Sequence, residues 1–279
     1  MKILILGGTG LVGKALMKHF QAEHEVAVFG REIYQHQAQL KSSIERADIL
    51  IQLSGATIAK RWNDKYKQEI WDSRIKTNQQ LLEIFSQLKN KPKVLFASAV
   101  GYYPASNCQQ PLDEDSNCGT DELSLLAVEW EKLAKQLQKE VLIFRFGVVL
   151  SPNGGALKEM LPIYKLGLGG PISTGTQCFP WVSIEDLVRA FDFAIDNNLS
   201  GTFNLTAPEL ITQKQFGKTF AQVLKRPFLV KTFEWQLKLI FGQGAMVLTK
   251  SISVTSEKLQ QQGFVFDYPT IRTALKNLL

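Results

Sequence analysis

At 279 residues the chain is long enough for one large or two modest domains with a sizeable core. With 45% hydrophobic and 21% charged residues it reads as a globular protein, and no apolar run reaches the length of a membrane span. The net charge of +6 comes from dispersed lysines and arginines, which argues against nucleic-acid binding and leaves only a mild attraction for anionic nucleotides. Three cysteines, Cys108, Cys118 and Cys178, are odd in number, at spacings that fit neither a disulfide framework nor a zinc site. The three histidines all precede residue 37, so no metal site is expected either. A start directly on a strand, without a basic segment leading into a long apolar run, predicts a cytoplasmic location.

Ile3 to Leu6 is a short apolar run, and Gly7, Gly8, Gly10 and Gly13 interrupt the chain where a helix over Leu11 to Phe20 would start. Strand, glycine turn and helix together offer free N–H groups and a helix N-terminus to a pyrophosphate. Glycines alone also make ordinary turns. Their place between a strand and a helix, at the head of a βαβ unit, is what points to a bound dinucleotide. The candidate cofactor residues here are Gly7, Thr9, Gly10, Leu11, Val12 and Gly13. Glu25 to Phe29 then alternates like a second strand and ends at Gly30-Arg31-Glu32. A dinucleotide fold reads the adenosine ribose at this point: an acid accepts from the 2′-hydroxyl of NAD, whereas a basic group meets the 2′-phosphate of NADP. Arg31 has the fork of N–H donors that suits a phosphate, and Glu32 would be an NAD-type acid one position late. The reading favours Arg31 and NADP over NAD.

Asp48 to Leu53 is a buried parallel strand ending in Ser54-Gly55-Ala56, and small residues there let the adenosine side of a cofactor come close. Leu53, Ser54, Gly55 and Ala56 join the candidate cofactor set. In the loop and helix from Thr57 to Phe85, Arg61 and Trp62 face the switch point as candidate substrate contacts. Trp71, Ile75 and Leu82 recur at helical spacing and are expected in the core. Lys93 to Ala97 is another parallel strand, running into Ser98-Ala99-Val100-Gly101-Tyr102-Tyr103.

At this point the motifs carry a family likeness. GGTGLVG, LSGA after the fourth strand and SAVGYY after the fifth together resemble the extended branch of the short-chain dehydrogenase/reductase superfamily. RFGVVLSPNGGAL, FPWVSIEDLVRA and GTFNLTAPELIT match the same branch. KRWNDKYKQEIWDSRI, GLGGPISTGTQCFPW and the tail from FGQGAM to GFVFDYPTIRTAL are similar to its atypical "epimerase family" proteins, which resemble nucleotide-sugar epimerases. The likeness covers nearly the whole chain. It implies an α/β fold, a Rossmann doubly wound parallel sheet with a smaller C-terminal α/β domain closing over a small-molecule substrate. Residues 1–150 form the cofactor domain with 179–205 returning to it, and 151–178 and 206–279 form the smaller one. A monomer or homodimer is expected.

The chemistry does not carry over with the fold. The superfamily uses a Tyr-x-x-x-Lys pair, whose i, i+4 spacing puts phenol and ammonium on one helix face. None of the six tyrosines has a lysine four residues on, the helix near Leu123 to Leu137 has no tyrosine, and Arg74 stands near the position of the superfamily's helix asparagine. The remaining candidates for orienting a substrate or donating a proton are Ser98, Tyr102 and Tyr103. Glu129 and Glu131 flank Trp130 on the same helix and are expected to be solvated or paired with Lys132 or Lys135. Arg145 is expected to be structural, and Phe146, Gly147 and Val148 border the nicotinamide. Gln177 and Trp181 lie in a glycine-rich stretch expected to form part of the substrate wall. Ser183 caps the next helix, with Glu185 and Asp186 in its first turn. Phe233 to Phe241 is strongly apolar, and burial or a dimer contact is expected there. Two functions follow: an NADP(H)-dependent oxidoreductase or epimerase-like enzyme acting on a carbonyl or carbinol carbon, or a non-catalytic NADP(H)-binding regulator.

Overall fold

Strands covered by helices on both faces must be apolar on both, and the strand runs KILIL, ILIQ and LIFRF have that character. In the computed structural model, which describes residues 1–58 and 60–279, they form one six-stranded parallel sheet. The chain runs β1 (Lys2–Leu6), α1 (Leu11–Phe20), β2 (Glu25–Phe29), α2 (Gln37–Glu45), β3 (Ile49–Gln52), α3 (Asp64–Ser86), β4 (Lys93–Ala99), α4 (Glu122–Leu137) and β5 (Leu142–Phe146). It continues through β6 (Val148–Leu150), α5 (Gly155–Lys165), β7 (Trp181–Ser183), α6 (Ile184–Asp196) and β8 (Gly201–Leu205). Five helices complete it: α7 (Gln213–Val223), α8 (Glu234–Phe241), α9 (Met246–Thr249), α10 (Glu257–Gln261) and α11 (Ile271–Leu278).

The sheet order is β2-β1-β3-β4-β5-β8, and β6 pairs separately with β7. The strand over Ile49–Gln52, counted as the fourth by family likeness, is therefore the third here, because α2 alone bridges β2 and β3. The chain reverses direction across the sheet between β2 and β3, with β1 between them. Open α/β sheets bind ligands at the carboxyl ends of the strands beside such a switch.

Successive strand residues point to opposite faces, and the core divides accordingly. Ile3, Ile5, Ile51, Leu95 and Phe144 pack with α1, α6 and the segment Leu259–Phe266. Leu4, Leu50, Val94, Phe96 and Ile143 pack with α2, α3 and α4. A third cluster joins α5, α7, α11 and β7 around Trp181, Phe216 and Phe220.

Several expectations are corrected. Trp71 is 36% exposed, while Ile70, Leu81, Ile84 and Phe85 supply the buried face of α3. Of the apolar α8 Leu237 alone is buried within the chain, and Trp235, Leu239 and Ile240 are exposed, which corrects the expected burial and leaves the expected dimer contact untouched. Cys108 and Cys178, expected unpaired, are joined as a disulfide with Cα atoms 5.6 Å apart, and Cys118 is free and exposed. Spacing could not reveal this pair, since 70 residues separate its members. Among the described residues no helix is long and apolar enough to cross a membrane.

Candidate active-site crevice

The glycine turn is built by exclusion of side chains. Gly7 has φ +79°, and a Cβ there would meet the backbone carbon of Leu53 at 2.7 Å. A Cβ on Gly13 would meet the Cα of Gly8 at 2.4 Å, so β1, the turn and α1 interlock through backbone alone. The first bond of α1 is Lys14 N–H to Gly10 O at 3.0 Å. The N–H groups of Leu11, Val12 and Gly13 precede it, and no side chain caps this end. Thr9 and Gly10 are exposed, so the turn presents open donors and a helix dipole at the surface of the crevice. These features fit an anionic pyrophosphate.

Beyond β2, Arg31 and Glu32 part company. Glu32 Oε1 accepts from Gly30 N–H at 2.9 Å, which turns its carboxylate back onto its own loop. Arg31 is exposed, bonds Glu69 on α3 at 2.9 Å, and lines a cleft of about 610 Å³ with Lys65, Gln68, Asp72 and Ser73.

Leu53 to Ala56 are fixed from below. Leu53 N–H donates to Leu6 O at 2.9 Å, and Ala56 N–H donates to Ser73 Oγ at 2.8 Å. Ser54 accepts from the Tyr34 hydroxyl at 3.0 Å, and Gln52 Nε2 donates to Asn78 Oδ1 at 3.1 Å. Burial pushes the Tyr34 phenol up to about 12, so it remains a donor at neutral pH. Tyr34, Gln52, Ser73 and Asn78 were missed by sequence reasoning; a glutamine inside an otherwise apolar strand was the available signal.

A second polar row crosses the same sheet face. Gln52, Ser98 and Arg145 lie two residues beyond Leu50, Phe96 and Ile143, on the face toward α3 and α4, and Ser98 registers with Arg145, which registers with Asn204. Ser98 Oγ donates to Glu131 Oε1 at 2.7 Å. Arg145 grips both Glu131 oxygens at 2.8 Å and donates to the Tyr103 hydroxyl at 2.7 Å, which donates to Asn204 Oδ1 at 2.8 Å. Arg145 also lies 3.5 Å from the Tyr102 ring centroid. Burial opposes the Arg145 charge, but the Glu131 hydrogen bonds and charge outweigh it and hold the guanidinium above its usual value. Burial likewise pushes the Tyr103 phenol up to about 12. Glu131 is thus buried against Arg145 rather than solvated, whereas Glu129 is surface-paired with Lys132 at 3.6 Å. Tyr103 is fully buried and Ser98 nearly so, while Tyr102 is partly exposed and its hydroxyl has no hydrogen bond among the described residues.

The closing side is assembled from distant segments. Gly147 N–H donates to Leu205 O at 3.1 Å and Val148 N–H to Pro180 O at 2.8 Å, which sets the turn after Phe146. Trp62 is buried, with its indole N–H on Ile58 O at 3.0 Å and its backbone N–H on Phe241 O at 2.9 Å. Arg61 donates to Leu239 O, so this loop clasps the end of α8. Gln177 is buried, donating to Ile172 O and Leu248 O, and Trp181 is fully buried in the third cluster with its indole N–H unpaired among the described residues. Lys250 reaches Asp121 at 2.6 Å and Tyr103 O at 2.8 Å, pinning the C-terminal region over the start of α4. Ser183 caps α6 by accepting from Asp186 N–H at 3.0 Å, and Asp186 also accepts from the N–H groups of Asp267 and Tyr268. Among the described residues no group of three or more His, Cys, Asp or Glu is placed to hold a metal ion.

Comparison with known proteins agrees with this architecture. Residues 3–206 match the NAD dependent epimerase/dehydratase family, and residues 232–278 match a domain of unknown function, DUF1731. The chain is 36% identical over 295 residues to the epimerase family protein SH2119 of Staphylococcus haemolyticus, covering 100% of this chain and 99% of that one. The crystal structure of human epimerase family protein SDR39U1 (isoform2) with NADPH is 30% identical, with a TM-score of 0.91 over 100% of this chain and 99% of that one. A nucleoside-diphosphate sugar epimerase from Corynebacterium glutamicum is 26% identical with a TM-score of 0.81, covering 100% of this chain and 58% of that one. The chain belongs to the NAD dependent epimerase/dehydratase family.

Proposed function

We propose that the protein binds NADP(H) across the carboxyl ends of β1, β2 and β3 and acts as an epimerase-like oxidoreductase on a small carbonyl or carbinol substrate. The observation that carries this reading is the Gly7–Gly13 turn, which excludes side chains and leaves the Leu11, Val12 and Gly13 N–H groups open ahead of α1. The NADPH held by the similar human protein supports it. When bound, the nicotinamide would supply the hydride. Arg31 turns from Glu69 to the 2′-phosphate, and Glu32 stays engaged with Gly30. Leu53 to Ala56 border the adenosine side, and Ser98, Phe146, Gly147 and Val148 border the nicotinamide end. Arg61 is exposed on the substrate side, and the buried Trp62, Gln177 and Trp181 back it from the core. Residues 1–150 and 179–205 carry the cofactor, and 151–178 with 206–279 close over the substrate.

Within this reading Tyr102 is the proton donor, through its phenol oxygen, because Ser98 and Tyr103 spend their hydroxyls on Glu131 and Asn204. The test is incubation with NADPH deuterated at C4 and a mixture of metabolite carbonyls. Loss of label into a product, reduced in Tyr102→Phe, is the expected result. Two observations favour a second reading: α4 holds no tyrosine, and two of the three candidate hydroxyls are already closed into a buried network. Tight NADPH binding without label transfer to any carbonyl would favour that reading, a non-catalytic NADP(H)-binding regulator.

A further inference from the structure

Two arginines stand beneath the crevice, and among the described residues Arg145 is the one of the two that meets an anion. Arg74, on α3, donates to Ile70 O at 3.2 Å and lies 5.0 Å from the Trp130 ring centroid, and among the described residues it meets no carboxylate. The acids around it on α3 are taken: Glu69 pairs with Arg31, and Asp72 pairs with Lys76 at 2.6 Å. Its guanidinium rests against the loop after β3, since a Cβ on Gly55 would meet Arg74 Cζ at 3.0 Å and Nη2 at 3.1 Å. That loop abuts the glycine turn through Leu53 and Gly7, so the cation lies one loop away from the open N–H groups of α1.

A guanidinium carries five N–H donors in a planar fork, and a partly buried charge without a counter-ion is unfavourable in the empty protein. We infer that Arg74 is an anion-recognition residue of the crevice, offering its fork to the phosphate-type oxygens of a bound ligand. The inference takes its location from the cofactor reading above. Burial pulls the Arg74 guanidinium down to about 10, which leaves it cationic at neutral pH. The oxyanion can come from the cofactor's own pyrophosphate or from an anionic group on the substrate.

The experiment compares wild type with Arg74→Met and Arg74→Lys. Thermal unfolding is followed with inorganic pyrophosphate, alone and with saturating NADPH, and NADPH is titrated by fluorescence. Pyrophosphate is expected to raise the wild-type Tm, with the rise lost in Arg74→Met and partly kept in Arg74→Lys. A loss of about 10- to 100-fold in NADPH affinity in Arg74→Met assigns the oxyanion to the cofactor. Unchanged NADPH affinity, with a pyrophosphate response that persists in NADPH-saturated wild type and vanishes in Arg74→Met, assigns it to the substrate. If wild type binds pyrophosphate through Arg74 but no NADPH, the cofactor reading fails and this inference stands. Equal responses of Arg74→Met and wild type to both probes, or no response of wild type to either, would overturn it.

Discussion

The two sides of the crevice are built on opposite principles. On the glycine side, backbone donors at Leu11, Val12 and Gly13 have no partner among the described residues, and Arg31 makes an exposed pair with Glu69. On the β4–β5–β8 side the buried row of Ser98, Arg145 and Tyr103 is closed on itself: Ser98 by Glu131, Arg145 by Glu131 and Tyr103, Tyr103 by Asn204. Buried polar groups are expensive to leave unpaired, so an open donor in a folded crevice is a donor kept for a ligand, and a closed one is holding the fold. The difference separates binding from scaffolding more sharply than residue type does, because a serine and tyrosine that look reactive in a sequence are here members of the scaffold.

The largest effect is expected on the closed side. Glu131→Ala leaves Arg145 buried without its carboxylate and should destabilise the protein by about 3–5 kcal/mol in urea unfolding. A loss under 1 kcal/mol would mean that the network is not the scaffold described. Opening the Cys108–Cys178 link by Cys178→Ser should cost about 2–4 kcal/mol in the same assay under oxidising conditions, and nothing under reducing ones. On the open side, Gly7→Ala forces a side chain into a left-handed residue against Leu53. It should lose about 1–3 kcal/mol of stability and most NADPH binding, the two read together by Tm and titration. Arg31→Ala should weaken NADPH about 10- to 100-fold and spare NADH, since a charge-assisted bond is worth roughly 1.5–3 kcal/mol. Equal losses for both nucleotides would remove Arg31 from the 2′-phosphate.

A pH prediction bears on the same contrast. Tyr34, Tyr103 and Tyr164 are each raised by burial to about 12 from an ordinary 10. The folded state therefore holds protons that the unfolded chain gives up. The stability linked to them is fully present below about pH 10 and is lost as pH rises from 10 through 12. Urea midpoints measured between pH 9 and 12 should fall over that window; a flat profile would mean the three phenols are not held buried in their protonated form.

Much of the fold was legible because parallel strands and glycine turns write themselves plainly. The helix expected over Leu11 to Phe20 is α1 to the residue, and α4 begins one residue before Leu123. The glycine turn was legible for the same reason, since its glycines stand between an apolar run and a helix-forming stretch, where β1 ends and α1 begins. The closed side was not, because its partners are far apart: Glu131 lies 33 residues from Ser98, and Asn204 lies 101 from Tyr103. Alternation along KVLFASA puts Ser98 on the Phe96 face, toward α4, and that was the one local clue. Trp71 misled because helical spacing gives a face but not which face is covered.

The central claim is that the open donors of the glycine turn, with Arg31 beside them, form an NADP(H) site. Titration of the wild-type protein with NADPH and NADH by calorimetry tests it directly. The account predicts one nucleotide per chain, with NADPH bound at least tenfold more tightly than NADH. Equal affinities, or no binding of either, would contradict it.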